Sequence, residues 1–357
     1  MGQDRPAGHA SPAAATLYDV AREAGVSTAT VSRVVHGQDR VRPETRQRVL
    51  GVIEALGYVP DGAAQSMARQ RKEVIGLVAV EKRSPETDVE QQGLLFIEEV
   101  LRGVEASLSA IEWSLLISLL RGDDPAAAYQ RLQKVSAKVD GLLIAESVVS
   151  PEHLALLAAR TPIVLVAGPA TEPHDVVAAD NRSGTTALVA HLVGKHRRTR
   201  LFAVAGPHNA PDAGERLAAL RDAVAGHPGV SLTGVFAGWF AAMSGQLAAR
   251  EILALPERDR PDALVCANDQ MAIGAMRELQ SAGIRVPVDM AVVGFDDMQS
   301  GSLVTPPLTT VRQPMWLLGE HACTRLLQRI ADPSLPPRVE RLPTELVIRE
   351  SCGCHGG

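Results

Sequence analysis

Between residues 73 and 352 continuous apolar runs of strand length alternate with amphipathic stretches, and this alternation restricts the possible folds more than any other feature. "VIGLVAV" (74–80), "WSLLISLL" (113–120), "DGLLIA" (140–145) and "PIVLVAG" (162–168) form a first series of strand candidates. "TRLFAVAG" (199–206), "VSLTGVF" (230–236), "DALVCAN" (262–268) and "MAVVGFDD" (290–297) form a second. Helical spacing falls between them, at 94–110, 125–138, 151–160, 183–196, 214–226, 244–255 and 270–282. Strands that are apolar throughout are buried on both faces, which requires parallel sheets covered by helices. Two such series predict two similar α/β lobes. No run approaches the ~18 apolar residues of a membrane span.

The first 72 residues differ in kind. They carry ten Lys and Arg against seven Asp and Glu, whereas the remaining 285 carry 26 against 34. A small basic unit attached to an acidic body points to a nucleic-acid contact at one end only. The opening "MGQDRPAGHASPAAA" has no apolar core behind a basic start, so it reads as a disordered leader over 1–15 rather than a secretory signal. Pro6 also stands where a myristoylation site needs Ser or Thr.

From Thr16 the text is "TLYDVAREAGVSTATVSRVVHGQDRVRPETRQRVLGVIEALGYVP". Thr16 is a candidate N-cap, with Leu17, Val20, Ala21 and Ala24 at helical spacing behind it. Gly25 stops that helix, and Ser27 caps a second whose stripe is Val31, Val34 and Val35. A third begins at Pro43, turns Val49, Ile53 and Leu56 inward, and ends at Gly57. Two short helices around a Gly-centred turn make a helix-turn-helix. The outward face of the second helix is short and polar: Ser27, Thr28, Ala29, Thr30, Ser32 and Arg33. Such a face seats deeply in a major groove, where Ser and Thr reach phosphates and Arg33 can fork onto a guanine edge.

Enzyme chemistry is hard to find in the body. No G-x-G-x-x-G follows a strand, and there is no P-loop, no H-E-x-x-H and no G-x-S-x-G. Four cysteines in this length make no disulfide framework. Cys266 lies in an apolar strand and reads as core. Cys352, Cys354 and His355 cluster in the ending "ESCGCHGG", but three ligands on a Gly-rich end make a weak metal site, and the end reads as a solvated tail. Neither a metal nor a cofactor is expected. Polar residues at strand ends are the other clue, because open α/β sheets bind ligands there. Asn268 and Asp269 follow one strand and Asp296 and Asp297 another, and Arg216 falls in the first turn of a helix. Asp269 is expected to cap its helix instead of touching a ligand.

"TLYDVAREAGVSTATVSRVVHG" with "PETRQRVLGVIEALGYVPD" resembles the DNA-binding headpiece of the lactose-repressor (LacI/GalR) family of bacterial regulators, without a gap over about 50 residues. "ANDQMAIGAMRELQSAGIRVPVDMAVVGFDD", "PPLTTVRQP" and "LPTELVIRES" resemble its effector-binding core, which is similar to periplasmic sugar-binding proteins. The resemblance implies a leader (1–15), a helix-turn-helix headpiece (16–59), a hinge helix or linker (60–72), a two-lobed effector-binding and dimerisation core (73–352) and a tail (353–357). It places Thr28, Ala29 and Arg33 at base-reading positions, and Thr16, Tyr18, Ser27, Thr30, Ser32 and His36 at DNA-backbone positions. "DGAAQSMARQ" (61–70) alone reads as a linker; the resemblance makes it a hinge helix with Met67 as the minor-groove wedge. Arg216, Phe240, Asn268, Asp296 and Gln313 become effector contacts.

Departures from the pattern are visible. His36-Gly37 stands where Asn is frequent, and Arg42 where a Ser often caps the third helix, a loss of roughly 1 kcal/mol. "LVAGP" puts Ala167 and Gly168 in place of a polar pair, "EKRSPETDVEQQGLLF" replaces a shorter segment, and "RLAAL" ends on Leu220 instead of Gly-aromatic. The expectation is a cytoplasmic, nucleoid-associated transcriptional repressor. It would bind a pseudo-palindromic double-stranded operator as a homodimer, under the control of a small effector of the carbohydrate class. It would make no membrane contact. No leucine heptad follows the core, so a dimer is favoured over a tetramer. A periplasmic-type solute-binding protein and an α/β enzyme are the alternatives.

Overall fold

The computed structural model describes residues 15–35, 41–58, 71–81, 94–121, 124–145, 150–169 and 173–354. They fall into two compact units, Met1–Glu73 and Val74–Gly357. His36 and Met67 lie outside the described residues, as do most of the leader, most of 60–72 and the last three residues.

The first unit holds helices α1 (Leu17–Ala24), α2 (Thr28–Val35) and α3 (Pro43–Leu56). Thr16 and Asp19 close a capping box that satisfies donors a helix start leaves open: Asp19 N–H donates to Thr16 Oγ1 at 3.3 Å, and Thr16 N–H to the Asp19 carboxylate at 3.0 Å. Gly25, at φ 64°, ends α1 by donating back to the carbonyls of Ala21 and Arg22. Thr30 N–H donates to Ser27 Oγ at 3.2 Å and starts α2. Arg42 supplies no side-chain cap to α3. Val20, Ala21, Ala24, Val31, Val34 and Val49 form the core, with Leu17, Val35, Ile53 and Tyr58 packed against it. Leu56 corrects the expectation that it faces inward: it is exposed, because the turn at Gly57 folds Tyr58 back onto the core instead.

In the second unit one lobe is a six-stranded sheet. Its strands are β1 (Val74–Glu81), β2 (Ser114–Arg121), β3 (Gly141–Ala145), β4 (Ile163–Val166), β5 (Asp175–Ala179) and β11 (Val339–Leu342). They lie in the order β11-β5-β4-β3-β1-β2, every pair parallel. The other lobe has β6 (Arg200–Ala205), β7 (Ser231–Ala237), β8 (Ala263–Cys266) and β9 (Ala291–Val293), in the order β7-β6-β8-β9, again all parallel. β10 (Thr310–Arg312) and β12 (Glu345–Val347) form a separate antiparallel pair.

Helices cover both faces of each sheet, as continuous apolar strands require. On the first, α4 (Leu94–Ser109) and α12 (Met315–Ala331) pack one face, and α5 (Pro125–Ser136) and α6 (Pro151–Ala158) the other. On the second, α9 (Ala242–Leu253) and α10 (Asp269–Ser281) oppose α7 (Asn181–His196) and α8 (Pro211–Ala225). One short helix, α11 (Gln299–Leu303), follows β9. α4 and α12 cross in backbone contact, since a Cβ on Gly103 would lie 1.9 Å from the Trp316 carbonyl oxygen, and one on Gly319 2.0 Å from that of Val100. The chain passes between lobes three times: from β5 into α7, from β10 into α12, and from β11 into β12. Among the described residues no helix is long and apolar enough to cross a membrane.

Three features depart from the sequence reading. β5, β11 and α12 were not assigned: β5 opens on a charged residue, β11 carries Glu340 and Arg341, and α12 lacks a side-chain cap and holds Gly319 in its interior. β7 is an edge strand of alternating exposure and is not buried throughout. α8 begins at Pro211, so Arg216 sits in its second turn and not its first.

Asp175 is the charged anchor of the first lobe. Its buried carboxylate accepts from Arg325 Nε at 2.8 Å, from Arg329 Nε and Nη2 at 2.9 and 2.8 Å, and from Arg338 N–H at 2.8 Å. It thereby ties α12 and the start of β11 to β5. Removing one member of a buried charge network leaves the others desolvated and unpaired, at about 3–5 kcal/mol. Asp175→Ala is therefore expected to lower unfolding free energy by that amount in urea, and a loss under about 1 kcal/mol would place the two arginines in water.

Candidate functional site

The first unit presents the expected polar helix face. On α2 and its approach, Ala29 and Arg33 are exposed, Thr28 and Ser32 are half-buried, and Thr30 Oγ1 lies 2.9 Å from Ser27 Oγ. Tyr18, on α1, is 75% exposed, an unusual position for an aromatic side chain and one suited to a phosphate or sugar contact. Thr16 and Ser27 already spend their hydroxyls on helix caps, so a phosphate there would meet the capped helix starts.

The second unit carries a cleft of about 530 Å³ between its lobes. Arg216, Phe240, Asn268, Asp296 and Gln313 all line it, joined by Asp212 and Gln270. Six come from the carboxyl-terminal side of strands in the second lobe's parallel sheet, Arg216 and Asp212 after β6, Phe240 after β7, Asn268 and Gln270 after β8 and Asp296 after β9, and Gln313 follows β10 of the antiparallel pair. The carboxyl ends of its strands are where an open parallel sheet opens to ligand. The first lobe adds Leu95, Phe96 and Ala167. These described first-lobe residues bring no side-chain donor or acceptor to the cleft.

Arg216 is the centre of the polar wall. Only 4% exposed, it donates from Nε to Asn181 Oδ1 at 2.8 Å, from Nη1 to the Ala267 carbonyl at 2.7 Å and from Nη2 to Gln313 Oε1 at 3.4 Å. Asp212 lies 3.3 Å and Asp296 3.6 Å from its guanidinium, whose plane rests 3.8 Å over the Phe295 ring. Gln313 Nε2 in turn donates to Asp296 Oδ1 at 2.6 Å. Burial pushes the Asp296 carboxyl up to about 7; Arg216 opposes this and Asp212 adds to it.

Strain collects at the same place. Ala167, Phe240 and Asp296 line the cleft at φ 54°, 66° and 121°, and Asp297 follows at 60°. Non-glycine residues hold such angles only where their surroundings impose them, and they concentrate at binding sites. Neighbouring residues exchange the roles expected of them. Asn268 is the true cap of α10, accepting from Met271 N–H at 3.0 Å, and its amide donates to the Phe240 carbonyl at 3.0 Å. Asp269, expected to cap, is fully buried and accepts from Thr310 Oγ1 and from Met298 N–H, knitting three loops beneath the cleft. Burial first, then the charge of Asp296, raises its pKa well above the usual carboxylate range. Asp297 points away and binds Arg312 and Arg349 at 2.8 and 2.5 Å.

Sequence reading missed Asp212, Gln270, Met298, Leu95 and Phe96. Asp212 had a signal, four residues before Arg216 on one helix face. The apolar members had none, since a cleft-lining Leu is written like a core Leu.

The ending also differs from the solvated tail expected. Cys352 is fully buried, and Ser351 ahead of it donates to the Val292 carbonyl at 2.6 Å and accepts from Thr309 N–H at 2.8 Å. The segment is pinned to the second lobe and belongs to its core.

Comparison with known proteins agrees with both units. Residues 16–61 match the bacterial regulatory proteins of the lacI family, and residues 189–352 match the periplasmic binding protein-like domain. The HTH-type transcriptional repressor PurR of Aliivibrio fischeri (strain ATCC 700601 / ES114) is 31% identical over 344 residues, 94% of this chain and 98% of that protein. PurR of Vibrio cholerae serotype O1 is 32% identical over 342 residues, with the same coverage. Among solved structures, the Lac repressor dimer bound to operator and the anti-inducer ONPF superposes with a TM-score of 0.84 at 29% identity, over 95% of this chain and 99% of that one. The transcriptional regulator CelR in complex with cellobiose gives 0.67 at 32% identity, over 94% and 99%. With a capped helix-turn-helix in one unit, a ligand cleft in the other, and this similarity running through both, the chain belongs to the LacI family of bacterial regulatory proteins and is a ligand-responsive, DNA-binding transcriptional repressor.

Proposed function

We propose that the protein represses transcription in the cytoplasm as a homodimer on a pseudo-palindromic operator, and that a polyhydroxylated, sugar-like effector in the interlobe cleft sets its affinity for DNA. The observation that carries the effector class is the asymmetry of the cleft. On the second-lobe side Asp296, Asp212, Arg216, Asn268, Gln270 and Gln313 stand beside Phe240, whereas the described first-lobe residues on the cleft, Leu95, Phe96 and Ala167, are apolar. A sugar ring has an apolar face for the first-lobe side and hydroxyls that donate to the carboxylates of the second-lobe side. The effector is anchored mainly on the second lobe, and closing the first lobe over it alters the segment 60–72 that leads to the headpiece.

On DNA, Thr28, Ala29 and Arg33 read bases, and Thr16, Tyr18, Ser27, Thr30, Ser32 and His36 hold the backbone, with Met67 as the wedge. Two headpieces related by a two-fold axis then read two half-sites. Edge strand β2 leaves Ile117 and Leu119 exposed on one face of the first lobe, apolar surface that a second copy would cover.

For the headpiece, Arg33→Ala is expected to cost about 1–3 kcal/mol on operator DNA and little on random DNA. Equal losses on both, in a fluorescence-anisotropy titration, would reduce Arg33 to a phosphate contact.

For the cleft, calorimetric titration with a panel of mono- and disaccharides and, in parallel, nucleobases tests the effector class. Asp296→Asn is expected to weaken the bound sugar by about 1.5–3 kcal/mol, the range for a charge-assisted hydrogen bond, while operator affinity without ligand stays at the wild-type level. Binding of nucleobases alone, or an Asp296→Asn protein that binds sugar normally, would sink the assignment.

Asp296 also supplies a pH test. Its folded pKa is raised, so its contribution to stability is full below the unfolded value of 3.8 and is lost as pH rises through about 7. Relative to wild type, unliganded Asp296→Asn should thus gain stability between pH 5 and pH 8, measured by urea denaturation. A constant difference across that range would mean that the carboxyl is ionised throughout.

A further inference from the structure

His191 and His196 on α7 and Cys352 and Cys354 in the closing turn bring their four ligand atoms within 4.8 Å of one another. His191 Nε2 lies 3.3 Å from Cys352 Sγ, 3.2 Å from His196 Nε2 and 3.7 Å from Cys354 Sγ. Cys354 Sγ lies 3.3 Å from His196 Nε2. Hydrogen bonding does not account for this arrangement. An imidazole Nε2 has either one N–H or one lone pair, yet three heavy atoms crowd around that of His191. A coordination polyhedron does account for it. With Zn–N of about 2.0–2.1 Å and Zn–S of about 2.3 Å, a tetrahedron has edges of about 3.3 Å between nitrogens and about 3.6 Å between nitrogen and sulfur. The four separations scatter around those edges.

We propose that these four side chains form a structural zinc site that fastens the carboxyl-terminal turn to the end of α7. Two thiolates and two imidazoles form a closed donor set with no position left for water, which is the pattern of a structural zinc site, not a catalytic one. Soft sulfur donors disfavour magnesium, calcium and manganese. Spacing fits as well. The histidines stand five apart at the last turn of the helix, within the usual separation of a His pair. The cysteines are closer than usual, with one residue between them, and that residue is Gly353 at φ 114°, an angle that a side chain would strain. A Cβ there would also lie 3.0 Å from His196 Nδ1. The other two cysteines do not take part: Cys266 and Cys323 are buried in separate apolar clusters.

The site lies outside the effector cleft and the DNA-reading helix, so it does not depend on the proposed effector. It closes a chemical loop between the element that follows the first passage between lobes and the segment that follows the third. Zinc bound only by the folded chain stabilises it by linkage.

The test uses the full-length chain without an affinity tag, purified without chelator and dialysed, with metals measured by plasma mass spectrometry. About one zinc per chain is expected, and Cys354→Ser and His196→Ala should each lose most of it while Cys323→Ala keeps it. Cobalt(II) added to chelator-stripped wild-type protein should give the visible bands of tetrahedral cobalt and an ultraviolet thiolate-to-cobalt band. That readout needs no variant to fold. The melting temperature should fall by several degrees on stripping and recover with zinc. Metal far below one per chain together with an octahedral cobalt spectrum would overturn the site. So would full zinc retention by Cys354→Ser, or mass spectrometry showing Cys352 and Cys354 oxidised to each other in metal-free protein as purified.

Discussion

Arg216 holds the ligand-binding unit together where its parts meet. Its guanidinium reaches the first residue of α7, the end of β8, the carboxylate after β9 and the glutamine after β10. Two of those four partners, Asn181 and Gln313, sit at passages of the chain between lobes. A buried cation of this kind is tolerable only because every neighbour accepts from it, and each neighbour is in turn held in place by it. The two carboxylates beside it outnumber its single charge, which is why burial succeeds in pushing the Asp296 carboxyl toward neutrality. A hydroxyl-bearing ligand that donates to Asp296 would supply the stabilisation that solvent would otherwise give. The backbone of the cleft, with three lining residues at positive φ, is already shaped.

Much of this was legible in the chain. The three headpiece helices follow from caps and stops that act locally: Thr16 with Asp19, Gly25, Ser27, Pro43 and Gly57 each work within four residues of themselves. Six of the eight strand candidates were legible because buried parallel strands have no polar face to disguise them, and the edge strands β2 and β7, which alternate in exposure, were legible from their apolar residues alone. β5 and β11 were not, because two of their charges, Asp175 and Arg341, are satisfied by partners far along the chain. The pairing of Cys352 and Cys354 with His191 and His196 escaped for the same reason. A gap of more than 150 residues separates the halves, and nothing local shows that the last turn returns to α7.

The cleft was half legible. Arg216, Asn268 and Asp296 stood out because polar residues near strand ends are conspicuous in apolar text, whereas Phe240 and Gln313 came only with the family resemblance. Their division of labour did not. Adjacent polar residues in "NDQ" and "FDD" look alike in sequence, yet Asn268 caps a helix, Asp269 knits loops, Asp296 faces the cleft and Asp297 clamps two arginines. Backbone direction decides which of two neighbours faces the ligand. The positive φ at Asp296 and Asp297 that sets this direction is imposed by tertiary packing rather than by the residues themselves.

α7 links the cleft to the Cys and His cluster. Its first residue, Asn181, accepts from Arg216 and donates to Glu215, which is also bound by Arg341 of β11. Its last residue, His196, stands among the four metal-ligand candidates. Sixteen residues of helix put those ends roughly 24 Å apart. Just before its first residue, the Asp180 carbonyl accepts from Thr344 Oγ1, so the first and third passages between lobes are bonded side by side. A lobe movement that bends one passage must bend the other or break that bond. Fixing the far ends of both elements to each other removes the simplest way for them to slip past one another.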